Sequence, residues 1–316
     1  MKDKIYYPEL DVIKGIAILL IILGHSLCEF PVNIGEQLQA VIPYVDGFSL
    51  AIFFVASGFL FSIKDSWSVF LKKKGLRLLL PYVTFCILTI LLRLAFAPVT
   101  HSGAPSLSDA FIRLLTGGYY WFLYALFLIM VICRLLKNNT ALLVVALICL
   151  ALSAIDIKAT GVIKRCINFI PFFVWGYYVK IYYKSILKCI TNTRCNIYLV
   201  ILPVVYVIIV YTTGQIHGVS FVLEGIVGSL YIWILSIKIA RADALRKLLS
   251  YYGHYSLQFY LNHLLIMLPC YYIASFLSFS CAILLWLLIF IMAVLVSWIM
   301  LLIEKHLVFL HKCCGL

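Results

Sequence analysis

The chain has 316 residues, of which 65% are hydrophobic and only 12% charged, and its mean hydropathy is +1.10. A soluble domain carries about 25% charged residues, so this chain cannot cover a water-facing surface and reads as a polytopic membrane protein. Its net charge of +13 comes without a basic RNA- or DNA-binding motif, so no nucleic-acid partner is expected.

A helix crosses the hydrocarbon core with about 20 apolar residues, and about ten such segments follow one another here. They are expected at residues 12–29, 42–63, 78–97, 119–136, 139–156, 163–182, 195–212, 219–237, 251–273 and 277–303. The first follows Lys2 and Lys4, but Leu27, Cys28, Glu29 and Phe30 lack the small residues of a cleavage site. It reads as a retained helix, not a removed signal. An even number of crossings puts both termini on one side. Of the 25 Lys and Arg residues, only Arg93, Arg113, Lys158, Lys164 and Arg165 then fall on the opposite side. That asymmetry places both termini in the cytoplasm, with the protein in the inner (cytoplasmic) membrane.

The crossings consume about 200 residues. The expectation is an all-α membrane helix bundle, a single domain over 1–316 with no appended soluble domain. Chemistry must then sit in the bundle or at its faces. The 11 cysteines are scattered, mostly in apolar runs where cysteine behaves as a small hydrophobe. There is no CxxC and no paired metal spacing, so neither a disulfide framework nor a metal site is expected.

The first segment reads "LDVIKGIAILLIILGHSL", and an anchor needs none of its Asp11, Lys14 and His25. Lys14 and His25 are separated by about 1100° of helical rotation, some 20° past three full turns, so they share a face. Asp11 lies about 60° away, and the rise from Lys14 to His25 is about 16 Å. Ile18 and Ile22 fall between them on that face. A lipid-facing stripe would not carry two ionisable groups, so the face should point into the bundle or a cavity. Spacing alone leaves two readings. Lys14 snorkels to the interface while His25 bonds a neighbouring helix, or the stripe is functional.

Further along, "FFVASGFLFS" holds Ser57 and Gly58. Gly58 reads as a close helix contact, and Ser57 is a weak candidate for polarising a substrate. In "WSVFLKKKGLRLLLPY", Trp67, Phe70 and Leu71 share a face, which suggests a helix lying on the cytoplasmic membrane surface. Lys72, Lys73, Lys74 and Arg77 follow as a cationic cluster. Positive-inside topology explains the cluster; a site for a phosphorylated ligand is the functional alternative. "PVTHSGAPSLSD" reads as turns with a helix start at Ser108 or Asp109.

Tyr119, Tyr120 and Trp121 in "GGYYWFLYALF" fit an interfacial aromatic belt, and Arg93 near an outer helix end can snorkel. Glu224, one turn into the eighth segment, needs a partner or a cavity. Asn168, Asn262 and His263 are buried polar candidates, each more often a helix-packing hydrogen bond than a catalyst.

Taken in order, "LDVIKGIAILLIILGH", "FFVASGF", "KGLRLLLPY", "YYWFLYALF", "FIPFFVWGYY" and "GHYSLQFYLNH" resemble the acyltransferase-3 family of integral membrane acyltransferases. The resemblance implies transfer of an acyl group, often acetyl, from cytoplasmic acyl-CoA to a carbohydrate hydroxyl. The donor is a substrate, and no permanently bound cofactor is implied. The family's first-helix pattern is a basic residue, commonly Arg, ten residues, then His; Lys14 and His25 fit it. Its paired basic motif before the third helix falls on Lys74 and Arg77. Lys stands first in both places, and an ammonium lacks the bidentate fork of a guanidinium.

On this reading His25 is the general base for a sugar hydroxyl, and Lys14, Lys74 and Arg77 guide the CoA phosphates. Asp11, Ser57, Asn168, Glu224 and His263 are supporting polar residues. The expected partners are acyl-CoA, a carbohydrate or lipid-linked glycan acceptor, and membrane lipids. Longer relatives carry an extracytoplasmic domain that passes the acyl group on, so this chain either acylates its acceptor directly or hands the group to a separate glycan-assembly partner. Two other classes compete. One is an exporter of small acyl metabolites, against which the lack of an inverted repeat weighs. The other is a non-enzymatic assembly or sensor protein.

Overall fold

A computed structural model describes residues 6–28, 42–95, 106–136, 138–159, 161–190, 196–213, 218–275 and 282–306. These residues are helix after helix, with no strand among them. In chain order the helices are α1 (Pro8–Cys28), α2 (Ile42–Leu60), α3 (Trp67–Lys74), α4 (Leu80–Ala95), α5 (Leu107–Thr116), α6 (Trp121–Leu136), α7 (Asn139–Ala154), α8 (Gly161–Ile181), α9 (Tyr183–Ile190), α10 (Tyr198–Thr213), α11 (Gly218–Ile239), α12 (Asp243–His254), α13 (Ser256–Ser275) and α14 (Ala282–His306).

The polarity is that of a protein in an apolar solvent. Aliphatic side chains line the outside, among them Val200, Val204 and Ile208 on α10 and Leu284, Leu288 and Leu295 on α14. Glu224, Asn262, His263 and Glu304 are buried. Together with the apolar helices, this inversion makes the chain a membrane protein. Among the described residues, three helical stretches, 67–95, 218–239 and 283–306, are by themselves long and apolar enough to cross a membrane; the pair 108–116 and 121–136, bent by 41°, makes a fourth if taken as one span.

Several boundaries differ from the sequence expectation for physical reasons. The ninth segment, expected at 251–273, is two helices that meet at Tyr255, where α12 ends and α13 begins. The apolar run of α13 continues into the polar, amphipathic α12, which hydropathy alone merges with it. The third segment continues backward without a break. A π-helical turn, Gly75–Leu79, joins α3 to α4. Lys74 precedes that turn and Arg77 sits in it. Helix α5 begins one or two residues before the expected start, because the hydroxyl of Ser106 caps it by accepting from the Asp109 amide at 3.1 Å.

Helix α3 is not simply laid on a membrane surface. Phe70 is buried while Leu71 is exposed. Arg134, expected as a topology-setting surface cation, is buried between the α3 aromatics, 4.9 Å from the Trp67 ring centre and 4.7 Å from that of Phe70. Its guanidinium donates to the carbonyls of Ile63, at 3.1 Å, and of Asp65. Two carbonyl acceptors and two aromatic rings compensate this cation for leaving water, although its Nε has no partner among the described residues. Counting charges cannot separate it from a surface arginine.

Glycines set the central contacts. A Cβ on Gly58 would collide with the Phe173 carbonyl of α8, and one on Gly176 with the Val55 carbonyl of α2. The same reciprocity joins α1 to α12, where Gly15 faces the Leu249 carbonyl and Gly253 the Asp11 carbonyl. Backbones this close leave no room for a methyl group. The Gly58→Ala variant should lose about 1–3 kcal/mol of stability through overpacking. Gly75→Ala, where nothing lies within 4 Å of the added carbon, should not. Melting of the two variants in detergent checks the contrast.

Candidate active site

Helix α1 carries the candidate base. Its middle is sealed, with Ile18 and Ile22 fully buried between Lys14 and His25. The stripe that joins them is therefore packed rather than hollow. At its start, Lys14 Nζ lies 2.7 Å from Asp11 Oδ1, so Asp11 neutralises the lysine beside the α12 crossing. At its far end His25 leaves the packed core and lines a cavity of about 370 Å³. The next residue, Ser26, fixes that end. Its hydroxyl donates to the Leu23 carbonyl at 2.7 Å and accepts from the indole of Trp286, on α14, at 2.9 Å.

Helices α2, α4, α5, α6 and α13 build the rest of the cavity, α2 through Leu50. Thr89 and Arg93 come from α4, Arg113 from α5, and Tyr260 and Leu264 from α13. Gly117, at φ 79°, ends α5 in the left-handed region that only glycine enters freely. The chain then turns into Gly118, Tyr119, Tyr120 and Trp121. Tyr82 of α4 anchors this corner by donating to the Leu114 carbonyl at 2.6 Å.

The three aromatics expected as a belt have three different roles. Tyr120 is fully buried; its hydroxyl donates to the Leu261 carbonyl of α13 at 3.0 Å and lies 3.1 Å from Thr89 Oγ1. Tyr119 and Trp121 line the cavity. Arginines stack on both: the guanidinium carbon of Arg93 is 4.9 Å and that of Arg113 5.6 Å from the Tyr119 ring centre, and Arg165 is 4.3 Å from that of Trp121.

The structure brings His263 to His25. Their ring centres are 5.2 Å apart, and Tyr260 is 5.6 Å from His263. His263 is fully buried on α13, with Nδ1 3.2 Å from the Phe259 carbonyl. A carbonyl only accepts, so Nδ1 carries the proton and Nε2 presents a lone pair. That Nε2 has no hydrogen-bond partner among the described residues. Next to it, Asn262 donates to Glu304 Oε1 on α14 at 2.8 Å, and both are buried. This bond sets the rotation of α13 and hence the side from which His263 approaches His25.

The other expected residues stand apart from the cavity. Asn168 accepts from the Ser153 hydroxyl at 3.0 Å, a bond that ties α8 to α7. Ser57 is half-buried on α2 and does not line the cavity. Glu224 is buried on α11, close enough to Gly47 and the Tyr206 hydroxyl that a Cβ on Gly47 would run into both. Lys74 is half-buried and Arg77 exposed at the π turn. From Arg77 to Thr89 the helix rises about 18 Å, so the cationic cluster and the cavity mark separate stations along one helix.

Sequence reasoning missed Thr89, Arg113, Tyr260 and Trp121 as cavity residues. They come from separate segments, and no single motif holds them. The one local signal was the run of consecutive aromatics just after two glycines, since neighbours in a turn cannot all face lipid.

Among known proteins, the chain matches the family model described as "Acyltransferase domain" (Acyl_transf_3) over residues 7–302. It is also similar to the nodulation protein NolL of Mesorhizobium japonicum, at 27% identity over 177 residues, covering 53% of this chain and 46% of that protein. The match thus spans about half the length of the curated relative. No solved structure matches.

The Asn262–Glu304 bond supports the site through α13, and this can be measured. Asn262→Leu leaves the buried carboxylate without that donor and should cost about 1.5–3 kcal/mol. A double-mutant cycle with Glu304→Leu should give a coupling of that sign, with the double variant melting above Asn262→Leu alone.

Proposed function

Because the chain belongs to the acyltransferase-3 family, we propose that it is a membrane O-acyltransferase. It moves an acyl group, acetyl by family precedent, from cytoplasmic acyl-CoA to a hydroxyl of a carbohydrate or glycolipid, as in modification of a cell-surface polysaccharide. The observation that carries this reading is His25, an imidazole that lines a cavity within the membrane bundle.

His25 is the general base. It takes the proton of the acceptor hydroxyl as that oxygen attacks the thioester carbonyl carbon. A C–O bond forms, the C–S bond breaks, and the CoA thiolate leaves with the proton returned by the imidazolium. His263 supports the base from beside it, with its ring centre 5.2 Å from that of His25. Lys74 and Arg77 hold the CoA phosphates at the π turn, a type of helix irregularity frequent at functional sites. The pantetheine arm spans the stretch to the cavity. Lys14, paired with Asp11, marks the cytoplasmic boundary of α1.

The topology in this reading is about ten crossings with both termini cytoplasmic, in the inner membrane. Each expected segment contains a helix, and the Lys and Arg bias supports the orientation.

In the purified chain, His25→Ala should reduce acyl transfer at least a thousandfold without changing the melting temperature; normal turnover would sink the assignment. Lys74→Gln with Arg77→Gln should raise KM for acyl-CoA about tenfold or more and change kcat little, since these groups hold the donor away from the reacting atoms. Transport of acyl metabolites by vesicles that show no transfer would favour the exporter reading instead.

A further inference from the structure

Helix α4 carries a buried hydroxyl whose hydrogen-bonding sense is fixed. Thr84 uses its hydroxyl within α4, donating to the Leu80 carbonyl at 3.0 Å. Thr89 instead reaches across to the α5–α6 corner, with Oγ1 3.1 Å from the phenol oxygen of Tyr120. Tyr120 has one hydroxyl proton. It goes to the Leu261 carbonyl of α13, at 3.0 Å, because a carbonyl only accepts. The bond between the two hydroxyls therefore runs one way: Thr89 donates and Tyr120 accepts. Thr89 Oγ1 then keeps lone pairs, and no proton, for a ligand.

Thr89 lines the same cavity as His25. Arginine and tryptophan side chains only donate, and no carboxylate or amide side chain lines the cavity among the described residues. Thr89 is thus an acceptor set among donors. A series of packed rings leads from its partner to the base: Tyr120, Tyr260, His263 and His25, with centres 5.9, 5.6 and 5.2 Å apart in turn. At about 370 Å³ the cavity is at the small end for a ligand site, a size suited to a single ring that touches both Thr89 and His25. The proton that His25 removes belongs to the attacking hydroxyl. A bond to Thr89 must come from a different donor on the same molecule.

We propose that Thr89 is a specificity-determining residue that accepts a hydrogen bond from a second hydroxyl beside the reacting one, so that the acceptor is a vicinal diol. This rests on the reading of His25 as the base of an acyltransferase. An acceptor whose neighbouring oxygen has no proton sets lone pair against lone pair at Thr89 and is used poorly.

The test follows CoA release and ester formation by the purified full chain with acetyl-CoA and either trans-cyclohexane-1,2-diol or its monomethyl ether, 2-methoxycyclohexanol. The native chain should show a kcat/KM at least about tenfold higher for the diol, beyond the statistical factor of about two for its equivalent hydroxyls. Thr89→Val should bring the two alcohols within about twofold by slowing the diol alone, and Thr89→Ser should keep the native preference. Thr89→Val leaves the Tyr120 bond to Leu261 in place, so its melting temperature should stay native. Tyr120→Phe releases the Thr89 proton to serve the ether oxygen, and should raise kcat/KM for the ether.

Equal use of the two alcohols by the native chain overturns the proposal, and so does a preference that survives Thr89→Val. A loss that strikes both alcohols alike in Thr89→Val makes Thr89 a packing residue and overturns it too. In each of these cases transfer itself persists and the acyltransferase reading stands. Release of CoA with neither alcohol overturns both.

Discussion

The architecture depends on the close approach of α1 to its neighbours. Gly15 and Gly253 let α1 and α12 touch backbone to backbone, and Gly58 and Gly176 do the same for α2 and α8. In an apolar solvent there is little hydrophobic drive between helices, so tight packing and internal hydrogen bonds must hold them together. The consequence is a helix α1 whose Ile18–Ile22 face is packed into the bundle and whose ionisable groups appear only towards its two ends. At one end Asp11 neutralises Lys14. At the other the packing stops and His25 meets a cavity.

Around that point the polar groups are arranged in pairs that hold geometry. Trp286 fixes Ser26, Asn262 fixes Glu304, and Tyr120 ties α6 to α13 through the Leu261 carbonyl. None of these is a reacting group. Their common effect is to fix α1, α6, α13 and α14 relative to one another, which sets the 5.2 Å separation of the His25 and His263 rings. A base that must meet a hydroxyl and a thioester at once benefits from such preorganisation.

Much of this was legible before any coordinates. Apolar runs located the helices, the 11-residue spacing put Lys14 and His25 on one face, and Gly58 announced a close contact. Other features were hidden for identifiable reasons. Arg134 looked like a surface charge because composition cannot register the Trp67 and Phe70 rings around it. The break at Tyr255 was hidden because α13 begins immediately where α12 ends, so one hydropathy window runs across both. The cavity itself was unreadable. Thr89, Arg93, Arg113, Trp121 and Tyr260 are distant in sequence; the left-handed turn at Gly117, the anchoring of α5 by Tyr82 and the bonds of Tyr120 to Thr89 and Leu261 bring their segments together. Conversely, Ser57, Asn168 and Glu224 were sensible candidates by polarity, but they lie away from the cavity.

The central claim is that acyl transfer takes place where α1 opens into this cavity. The most direct measurement is a cryo-electron microscopy structure of the chain with a non-hydrolysable acyl-CoA analogue. The account predicts the phosphates at Lys74 and Arg77 and the acyl carbon inside the cavity, with room for an acceptor oxygen between it and His25 at about 3–3.5 Å from each. An acyl group bound elsewhere in the bundle, with His25 out of reach of any attacking oxygen, would contradict it.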